Sequence, residues 1–525
     1  MSLTPKSVEF TPAPTLTIDQ DNLSDKQDDN DLTKPTIPAL ANAKPARKYV
    51  LLAVFCLGQF LDTVNTSAMF PAIPAISRDV GLTESDSVWL FAAYQATFAS
   101  FLLISGRISD VYSPKPVFVL GTGFFGLTTL AGGFPHDKIS FLVLRALQGI
   151  GASLTIPSSL NLIVQMFPDR REQGRAFGWY SSVGAIGNVL GTMVGAILVQ
   201  YASWRWIFWL ISIIAIPISI ACVLLIPKTP RNPEHKKTKF DFVGVFMLTV
   251  SAILFVYALT SGSVEGWTAA GVLAPLFVSI ALATSFFVWE TRIDERNASL
   301  PPKLWFYPNF AVLFAVALMP YFWWIQIYLS LSPYWQDYLG WSSIISAVKF
   351  LPLGVVAGPI MLNAGRISQL GRPKWMILGG LTCALIASLM FPFSARRYWQ
   401  LDFPAFIIGT AGNATVFVLT NIHLFRTTPP RYAGVVGAVF NSALQLGCAV
   451  GTAATTSIQA SVDARNPHDE TAFKGRAAAL WCLVAVVGLE MIGVAIFFRP
   501  VAESPKDEES VEAEKNTGSP ATSHQ

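Results

Sequence analysis

Charged residues are scarce in this chain of 525 residues. Asp, Glu, Lys and Arg together make up 13% of it, about half of the share in an ordinary soluble domain, whereas apolar residues make up 52%. Between Tyr49 and Phe498 the sequence has about fourteen apolar stretches, each near the roughly 20 residues that a helix needs to cross a bilayer. We therefore predict an all-α polytopic membrane protein with about fourteen spans.

Cysteine is also rare, and all five cysteines fall inside apolar stretches, where cysteine behaves as a small hydrophobic residue. No pair lies in a loop, so we assign them no disulfide, redox or metal role. The chain has no phosphate-binding loop of the ATP-driven pumps, no intramembrane His/Asp metal cluster and no nucleophile motif. We expect a protein that is not an enzyme, without cofactor, metal or nucleic-acid partner, and a monomer in the lipid bilayer.

The positive residues are unevenly distributed among the loops, and positive loops are retained in the cytoplasm. Lys44, Arg47 and Lys48 precede the first span, and further clusters follow every second span thereafter. Alternate loops are poorer in positive charge, apart from Arg78, Lys138 and the Arg396–Arg397 pair. This pattern predicts an even number of spans with both termini in the cytoplasm.

The chain divides into five segments by composition. Residues 1–48 and 500–525 are polar and predicted to be disordered cytoplasmic tails, and the first lacks the apolar core of a cleavable signal. Residues 49–227 form a first six-helix half, residues 228–306 two linker helices with their loops, and residues 307–499 a second six-helix half.

An internal repeat supports this division. Gly106-Arg107-Ile108-Ser109-Asp110 recurs as Gly365-Arg366-Ile367-Ser368-Gln369, and Pro114-Lys115 recurs at the same offset as Pro373-Lys374. Gly187, Gly191 and Thr192 have counterparts at Gly447, Gly451 and Thr452. Duplicated helical halves with a site between them are used by secondary transporters for alternating access.

The loop from Gly106 to Lys115 resembles the signature loop of the major facilitator superfamily. Together with the motifs described below, it makes the region from Lys48 to Arg499 similar to the fourteen-span drug:proton antiporters of fungi and bacteria, among them aminotriazole-resistance, boron-efflux-like and secondary-metabolite exporters. The resemblance implies a gating role for Gly106, Arg107, Asp110 and Lys115. The family usually has a basic residue in place of Val111 and a glycine in place of Ser113, so the charge relay of this loop departs from the family pattern.

Two charged residues lie within predicted spans, where ionised groups are costly and mark functional sites. Asp62, in Leu61-Asp62-Thr63-Val64-Asn65, is similar to the acidic residue of the family's first-span motif and is our candidate proton carrier. Arg145, in Leu144-Arg145-Ala146-Leu147-Gln148-Gly149, matches the fourth-span arginine that the family uses to assist proton transfer, and Asp62 is its expected partner. In the alternative interpretation Asp62 is permanently hydrogen-bonded to neighbours such as Asn65 and only positions helices.

The fifth span carries a row of glycines similar to the antiporter motif of the family: Gly184, Gly187, Gly191 and Gly195. Such spacing allows helices to pack closely, and the resemblance implies export. Polar and aromatic residues near these motifs and in the ninth span are candidates for a substrate cavity: Asn65, Tyr94, Gln95, Gln148, Trp324 and Gln326. The roles of Lys349, His423 and Glu490, which also lie in apparent spans, stay open.

These observations predict a proton-coupled efflux antiporter that exports a small amphipathic drug, toxin or secondary metabolite, such as a glycolipid or polyketide, by alternating access. The alternatives are an importer or facilitator of a small nutrient or ion such as borate or ammonium, and an uncoupled channel or sensor of the same fold. The sequence does not distinguish the plasma membrane from the vacuolar membrane.

Overall fold

A computed structural model describes residue 40 and residues 44–83, 86–111, 113–227, 241–294, 298–429, 432–466 and 473–499. The predicted tails and the segment 228–240 therefore lie outside the described residues, apart from 40 and 44–48. Helices account for nearly all of the rest. They are α1 (Pro45–Ser67), α2 (Met69–Val80), α3 (Trp89–Val111), α4 (Pro114–Gly132), α5 (Lys138–Met166), α6 (Arg170–Tyr201), α7 (Arg205–Leu225), α8 (Phe242–Glu265), α9 (Ala270–Glu290), α10 (Phe310–Pro333), α11 (Ser343–Lys349), α12 (Leu351–Leu362), α13 (Ala364–Ile367), α14 (Pro373–Met390), α15 (Phe403–Thr427), α16 (Ala433–Arg465) and α17 (Lys474–Phe497).

Thirteen helical segments in this part of the chain are long and apolar enough to cross a membrane. The nineteen-residue helix α4 is not among them, because Pro114, Lys115 and Pro116 at its start lower its mean hydropathy, but it packs between α5 and α7 as a further span. The prediction of an all-α membrane protein is thus confirmed. Six spans precede the linker helices α8 and α9, and six follow them, with α11 and α12 together forming one.

The two halves meet along two seams. Helix α3 packs against α16, and α6 packs against α12. At the first seam a Cβ atom added to Gly106 would lie 3.4 Å from the Cβ of Ala438, and at the second Gly354 leaves no room for a Cβ beside Val189. The linker helix α8 packs against both α3 and α16, so the linker pair covers one side of the first seam.

The repeated glycines make equivalent contacts in the two halves. A Cβ on Gly191 would lie 2.8 Å from the Cα of Val64 on α1, and one on Gly451 would lie 3.3 Å from the Cα of Phe322 on α10. Gly447 likewise allows α16 to approach the backbone of Leu318. Since each half packs its fifth span onto its first through the same positions, the sequence repeat corresponds to a repeated helix contact.

The repeated lysines also have equivalent partners. Lys115 Nζ donates to the carbonyl oxygens of Val223, at 2.9 Å, and Ile226 at the end of α7, and Lys374 Nζ donates to the carbonyl of Ala495 near the end of α17 at 2.7 Å. The last carbonyls of a helix lack partners within the helix, and a cation there also complements the helix dipole. In both halves a lysine therefore caps the final helix.

The first helix of each half is tied to the last at the same end. Arg47, at the start of α1, donates through Nη2 and Nε to the carbonyl of Leu225 at 2.6 and 3.1 Å. In the second half Asn309, just before α10, exchanges two hydrogen bonds with the backbone of Arg499, at 2.7 and 2.8 Å.

At the opposite end, loop charges are paired. Asp79, near the end of α2, accepts hydrogen bonds from Trp204 Nε1 at 2.9 Å and from Arg205 Nη1 at 2.8 Å, and these bonds hold the pKa of its carboxyl below the usual value. Lys138, one of the exceptions to the loop-charge pattern, forms an ion pair with Asp86 at 3.2 Å. A positive residue on this side is thus neutralised locally.

Candidate proton and substrate site

Helices α1, α3 and α5 bring three side chains of the first half together. The hydroxyl of Tyr94, on α3, donates a hydrogen bond to Asp62 Oδ1 on α1. The guanidinium of Arg145, on α5, lies over the ring of the same tyrosine, 4.9 Å from its centroid. Tyr94 therefore contacts the carboxylate through its hydroxyl and the cation through its ring.

Arg145 is fully buried and is held by neutral oxygens. Its Nε donates to the carbonyl of Leu90 and its Nη1 to Gln148 Oε1, both at 3.0 Å. Gln148 in turn donates to the carbonyl of Thr128 at 3.4 Å. In the described part of the chain no carboxylate lies within ion-pairing distance of Arg145. Asp62, the partner expected from the sequence, does not touch Arg145, and Tyr94 lies between the two charges.

A glycine one turn beyond Arg145 explains why Tyr94 lies so near. A Cβ on Gly149 would overlap the carbonyl oxygen of Tyr94 and the hydroxyl of Thr97, and would lie 3.1 Å from the backbone nitrogen of Phe98. Thr97 Oγ1 also donates to the carbonyl of Ala146 on α5 at 2.7 Å. The absence of a side chain at Gly149 lets α3 rest directly on α5.

Asp62 is partly accessible, whereas Asn65, one turn further along α1, is fully buried. Neither polar atom of the Asn65 side chain has a hydrogen-bond partner in the described structure, although the residue lies near the Tyr94 hydroxyl. The alternative interpretation, in which polar neighbours hold Asp62 permanently and it only positions helices, finds such a neighbour in Tyr94 and not in Asn65.

The substrate-cavity candidates fall into two groups. Tyr94, Gln148 and Asn65 belong to the Asp62 site, whereas Gln95 Nε2 approaches Cys448 Sγ of α16 at 3.6 Å across the first seam. Trp324 is partly accessible and faces Tyr328 at 6.4 Å between ring centroids.

Gln326 lies apart from the Asp62 site. It is fully buried, and its Nε2 donates to the carbonyl of Ala479 on α17 at 3.3 Å. This contact joins two helices within the second half. Helix α10 is apolar on all sides, and periodicity in its sequence does not distinguish its inner face.

Aromatic rings connect the two halves at the end of the molecule away from the Gly106 loop. Phe70 of α2 stacks on Phe91 of α3 with centroids 4.7 Å apart, and on Tyr328 of α10 at 4.5 Å. Tyr328 also contacts Phe350, at 4.2 Å, at the junction of α11 and α12. These four rings form what we call the aromatic column, which closes this side between the halves.

The candidate gating residues lie at the other end of α3. Gly106 contacts α16 at the first seam, and Lys115 caps α7, a role that its position in the sequence did not reveal. Arg107 is partly buried. Asp110 lies at the end of α3, and its side chain lies outside the described residues.

Further charged groups within spans lie apart from this site. Lys349 Nζ lies over the rings of Tyr398 and Trp399, at 3.9 and 4.2 Å. Glu490 on α17 has two buried oxygens without a hydrogen-bond partner in the described structure. Asp402, which sequence reasoning did not single out, is almost fully buried at the start of α15. Among the described residues, no group of three or more His, Cys, Asp or Glu side chains could hold a metal ion.

Comparisons with known proteins agree with this architecture. The chain is 28% identical over 435 residues to the puromycin resistance protein pur8 of Streptomyces alboniger, covering 82% of this chain and 85% of that protein. It is 28% identical over 464 residues to the major facilitator superfamily multidrug transporter mfsC of Aspergillus fumigatus, covering 86% and 88%. It is also 24% identical over 462 residues to the low affinity ammonium transporter of Saccharomyces cerevisiae, covering 85% and 87%.

Among solved structures, the crystal structure of the human organic anion transporter MFSD10 (TETRAN) matches with a TM-score of 0.59 at 16% sequence identity, covering 86% of this chain and all of that one. This likeness shows the fold. The family model of the Major Facilitator Superfamily matches residues 55–452, a region that includes Asp62, Arg145 and both seams. The chain therefore belongs to the Major Facilitator Superfamily of membrane transporters.

Proposed function

We propose that this transporter is a proton-coupled exporter of small amphipathic molecules, with Asp62 as its proton-binding group. The single observation that carries the proposal is the position of Tyr94, which bonds the Asp62 carboxylate and faces the Arg145 guanidinium at 4.9 Å. A hydrogen bond to an ionised acceptor is roughly twice as strong as one to a neutral acceptor. Protonation of Asp62 therefore weakens the bond that fixes Tyr94.

This change can be transmitted because Tyr94 lies on α3, one of the helices that forms the first seam. Gln95, the next residue, contacts Cys448 of the second half. A proton and a substrate are coupled only when each binds the two conformations with different affinity. The hydrogen bond from Tyr94 to Asp62 depends on whether Asp62 is protonated, and Tyr94 adjoins a contact between the halves. This arrangement gives the two conformations different affinities for the proton.

The direction of transport and the substrate class rest on the relatives. The names of two of them describe puromycin resistance and multidrug transport, which supports efflux of an amphipathic molecule. The row of glycines from Gly184 to Gly195 lies along α1: a Cβ on Gly187 would lie 3.0 Å from the ring of Phe60, and one on Gly195 would lie 2.7 Å from the Cα of Ala68. The exported drug, toxin or metabolite remains to be identified by transport assays.

The second candidate is import or facilitated movement of a small ion such as ammonium. The ammonium transporter of S. cerevisiae is similar over most of both chains, which favours this candidate. The two candidates differ in their coupling to protons. An exporter exchanges its substrate for protons, whereas a facilitator equilibrates its ion without a proton gradient.

The test uses the full chain in liposomes that contain a pH-sensitive dye, with an inward proton gradient imposed and puromycin or ammonium added. The variants are Asp62→Asn and, as a matched control, Asp79→Asn, which removes a carboxylate paired in a loop far from the site. We expect proton flux that depends on puromycin in the wild type and the control, and its loss in Asp62→Asn. Puromycin transport that does not depend on the proton gradient, or proton-coupled puromycin transport that persists in Asp62→Asn, contradicts the proposal. Transport of ammonium without transport of puromycin supports the second candidate.

A further inference from the structure

The linker helix α8 is closely packed against the first seam along its second half. Trp89 of α3 contacts Tyr257 of α8 with centroids 5.6 Å apart. Ala96 of α3, Val256 of α8 and Ala449 of α16 form a buried apolar cluster. No gap separates the linker from the transporter halves at these contacts.

A further bond fixes the turn between α8 and α9. Trp267 Nε1 donates to Ser457 Oγ of α16 at 2.7 Å. The end of the linker away from the Gly106 loop is thus attached to both halves.

Along its first half, α8 separates from α3 and leaves a cavity of about 980 Å³ that is open on the side of Phe242 and Phe246, whose side chains are largely exposed. Its walls come from the part of α3 that leads into the Gly106 loop, from the start of α8 and from one residue of α9. They include Phe101, Ile104 and Ile108, Phe246 and Val250, and Leu282. The cavity is as large as the upper end of the range for small-molecule sites, roughly 300–1,000 Å³.

The lining of this cavity has almost no polar character. Thr249 is its one polar residue. The hydroxyl of Thr249 is already bonded to the carbonyl of Val245 at 2.8 Å. An occupant of the cavity therefore finds no free hydrogen-bonding group on the walls, and only a hydrocarbon segment fits such a site without leaving polar atoms unpaired.

Polar groups occur instead at the end of α8 nearest the Gly106 loop. Asp241 caps α8, accepting hydrogen bonds from the backbone of Gly244 at 3.0 Å and from Trp289 Nε1 at 3.1 Å. Glu290, at the end of α9, lies within electrostatic range of Asp241 and of Arg107. Both carboxylates are buried and bonded within the protein, so they mark the end of the apolar region without contacting an occupant. An apolar cavity that is open to the bilayer and ends at this boundary matches a lipid chain, with the headgroup beyond it at the membrane surface.

We propose that this cavity is a binding site for an acyl chain of a membrane lipid from the leaflet on the Gly106 side. An apolar space of this size beside the bilayer is filled by hydrocarbon, because an empty space would forfeit the dispersion contacts of its walls. A lipid chain fills the space between α3 and α8 and supports the segment of α3 that contacts Ala438. The lipid is thus a structural partner of the first seam.

The proposal is tested with the full chain in proteoliposomes that contain a phospholipid with a photoreactive diazirine on its acyl chain. After irradiation, the labelled peptides are identified by mass spectrometry. The variants are Val250→Trp, which places an indole in part of the cavity, and Ile280→Trp, which adds the same ring to a residue of α9 that is 52% exposed and lies outside the cavity lining. Thermal unfolding confirms that both variants are folded, and Val250→Ala serves as a milder substitution that keeps the cavity open.

We expect labelling concentrated in residues 101–108 and 242–253. It falls severalfold in Val250→Trp, because the indole takes up part of the space of the chain and separates the chain from the walls, and is unchanged in Ile280→Trp and Val250→Ala. Equal labelling in wild type and Val250→Trp overturns the proposal. Loss of labelling when puromycin is added also overturns it, because the cavity is then a site for the drug and not for a lipid.

Discussion

The close contact between α3 and α5 leads to a specific prediction for Gly149→Ala. The new Cβ would overlap two oxygen atoms of α3 and lie 3.1 Å from the nitrogen of Phe98. Alanine stabilises a helix interior by roughly 0.5–1 kcal/mol relative to glycine, but overpacking costs about 1–3 kcal/mol. Since the overlap involves backbone, which cannot rotate away, we expect a net loss of about 1–2 kcal/mol in the free energy of unfolding.

The matched control is Gly488→Ala on α17, where a Cβ would meet no atom within 4 Å. This variant gains helix propensity without overlap, so its thermal midpoint in detergent should equal or exceed that of the wild type. An unfolding midpoint of Gly149→Ala as high as that of Gly488→Ala would refute the packing argument.

The same substitution also tests the proton site. Displacing α3 moves Tyr94 away from Asp62, and Tyr94→Phe removes the same hydrogen bond without moving the helix. A hydrogen bond to a charged group contributes about 1.5–3 kcal/mol, so each variant should lower proton-driven exchange by on the order of tenfold or more. The double variant should be no worse than the single ones, because both remove one interaction. Fully additive losses would show that Gly149 acts on transport by another route.

Further predictions concern the helix caps, the loop pair and the aromatic column. Lys115→Met and Lys374→Met should lower the thermal midpoint by similar amounts, since each lysine caps the last helix of its half. A lower thermal midpoint in only one of the two variants contradicts the equivalence of the repeats. The bonded Asp79 carboxyl has a lowered pKa. Its bonds therefore stabilise the folded protein fully above the ordinary carboxyl pKa near ~4, and this stabilisation is lost as the pH falls through the lowered pKa. The thermal midpoint of Asp79→Asn should therefore lie below that of the wild type at pH 7 and converge with it in acid, whereas a constant difference argues against the ion pair. Tyr328→Leu removes a stack between the halves that is worth about 0.5–1.5 kcal/mol beyond its buried area. It should increase the labelling by an impermeant reagent of the native Cys448, which is buried at the first seam, and unchanged labelling would show that the column does not close that side.

The sequence was sufficient to predict the membrane architecture and to identify Asp62 and Arg145 as charged residues within it. Asp62 and Arg145 could be found because ionised residues are rare in apolar stretches and lie in recognisable motifs. The hydrogen bond from Tyr94 could not be predicted, since it depends on how closely α3 approaches α1 and α5. Gly149 permits that approach. Glycine occurs at many positions of membrane helices, however, so its presence in the sequence does not identify this close contact.

The internal repeat could also be interpreted only in part from the sequence. Lys115 and Lys374 could be recognised as equivalent residues from their spacing, yet their shared role as caps depends on where the last helix of each half ends in space. The contact of Gln326 with α17 could not be predicted, because α10 is apolar on every face and its sequence contains no signal for which side of the helix faces which neighbour.

The ties between the first and last helices have a mechanical consequence. In each half these helices are fastened at the end that carries the repeated lysines, through Arg47 in the first half and Asn309 in the second. Two helices that are bonded to each other at one end separate more easily at the other end. Widening within the first half is therefore available on the side of the aromatic column, whereas in the second half the bond from Gln326 to Ala479 also joins α10 to α17 toward that side and resists the same separation.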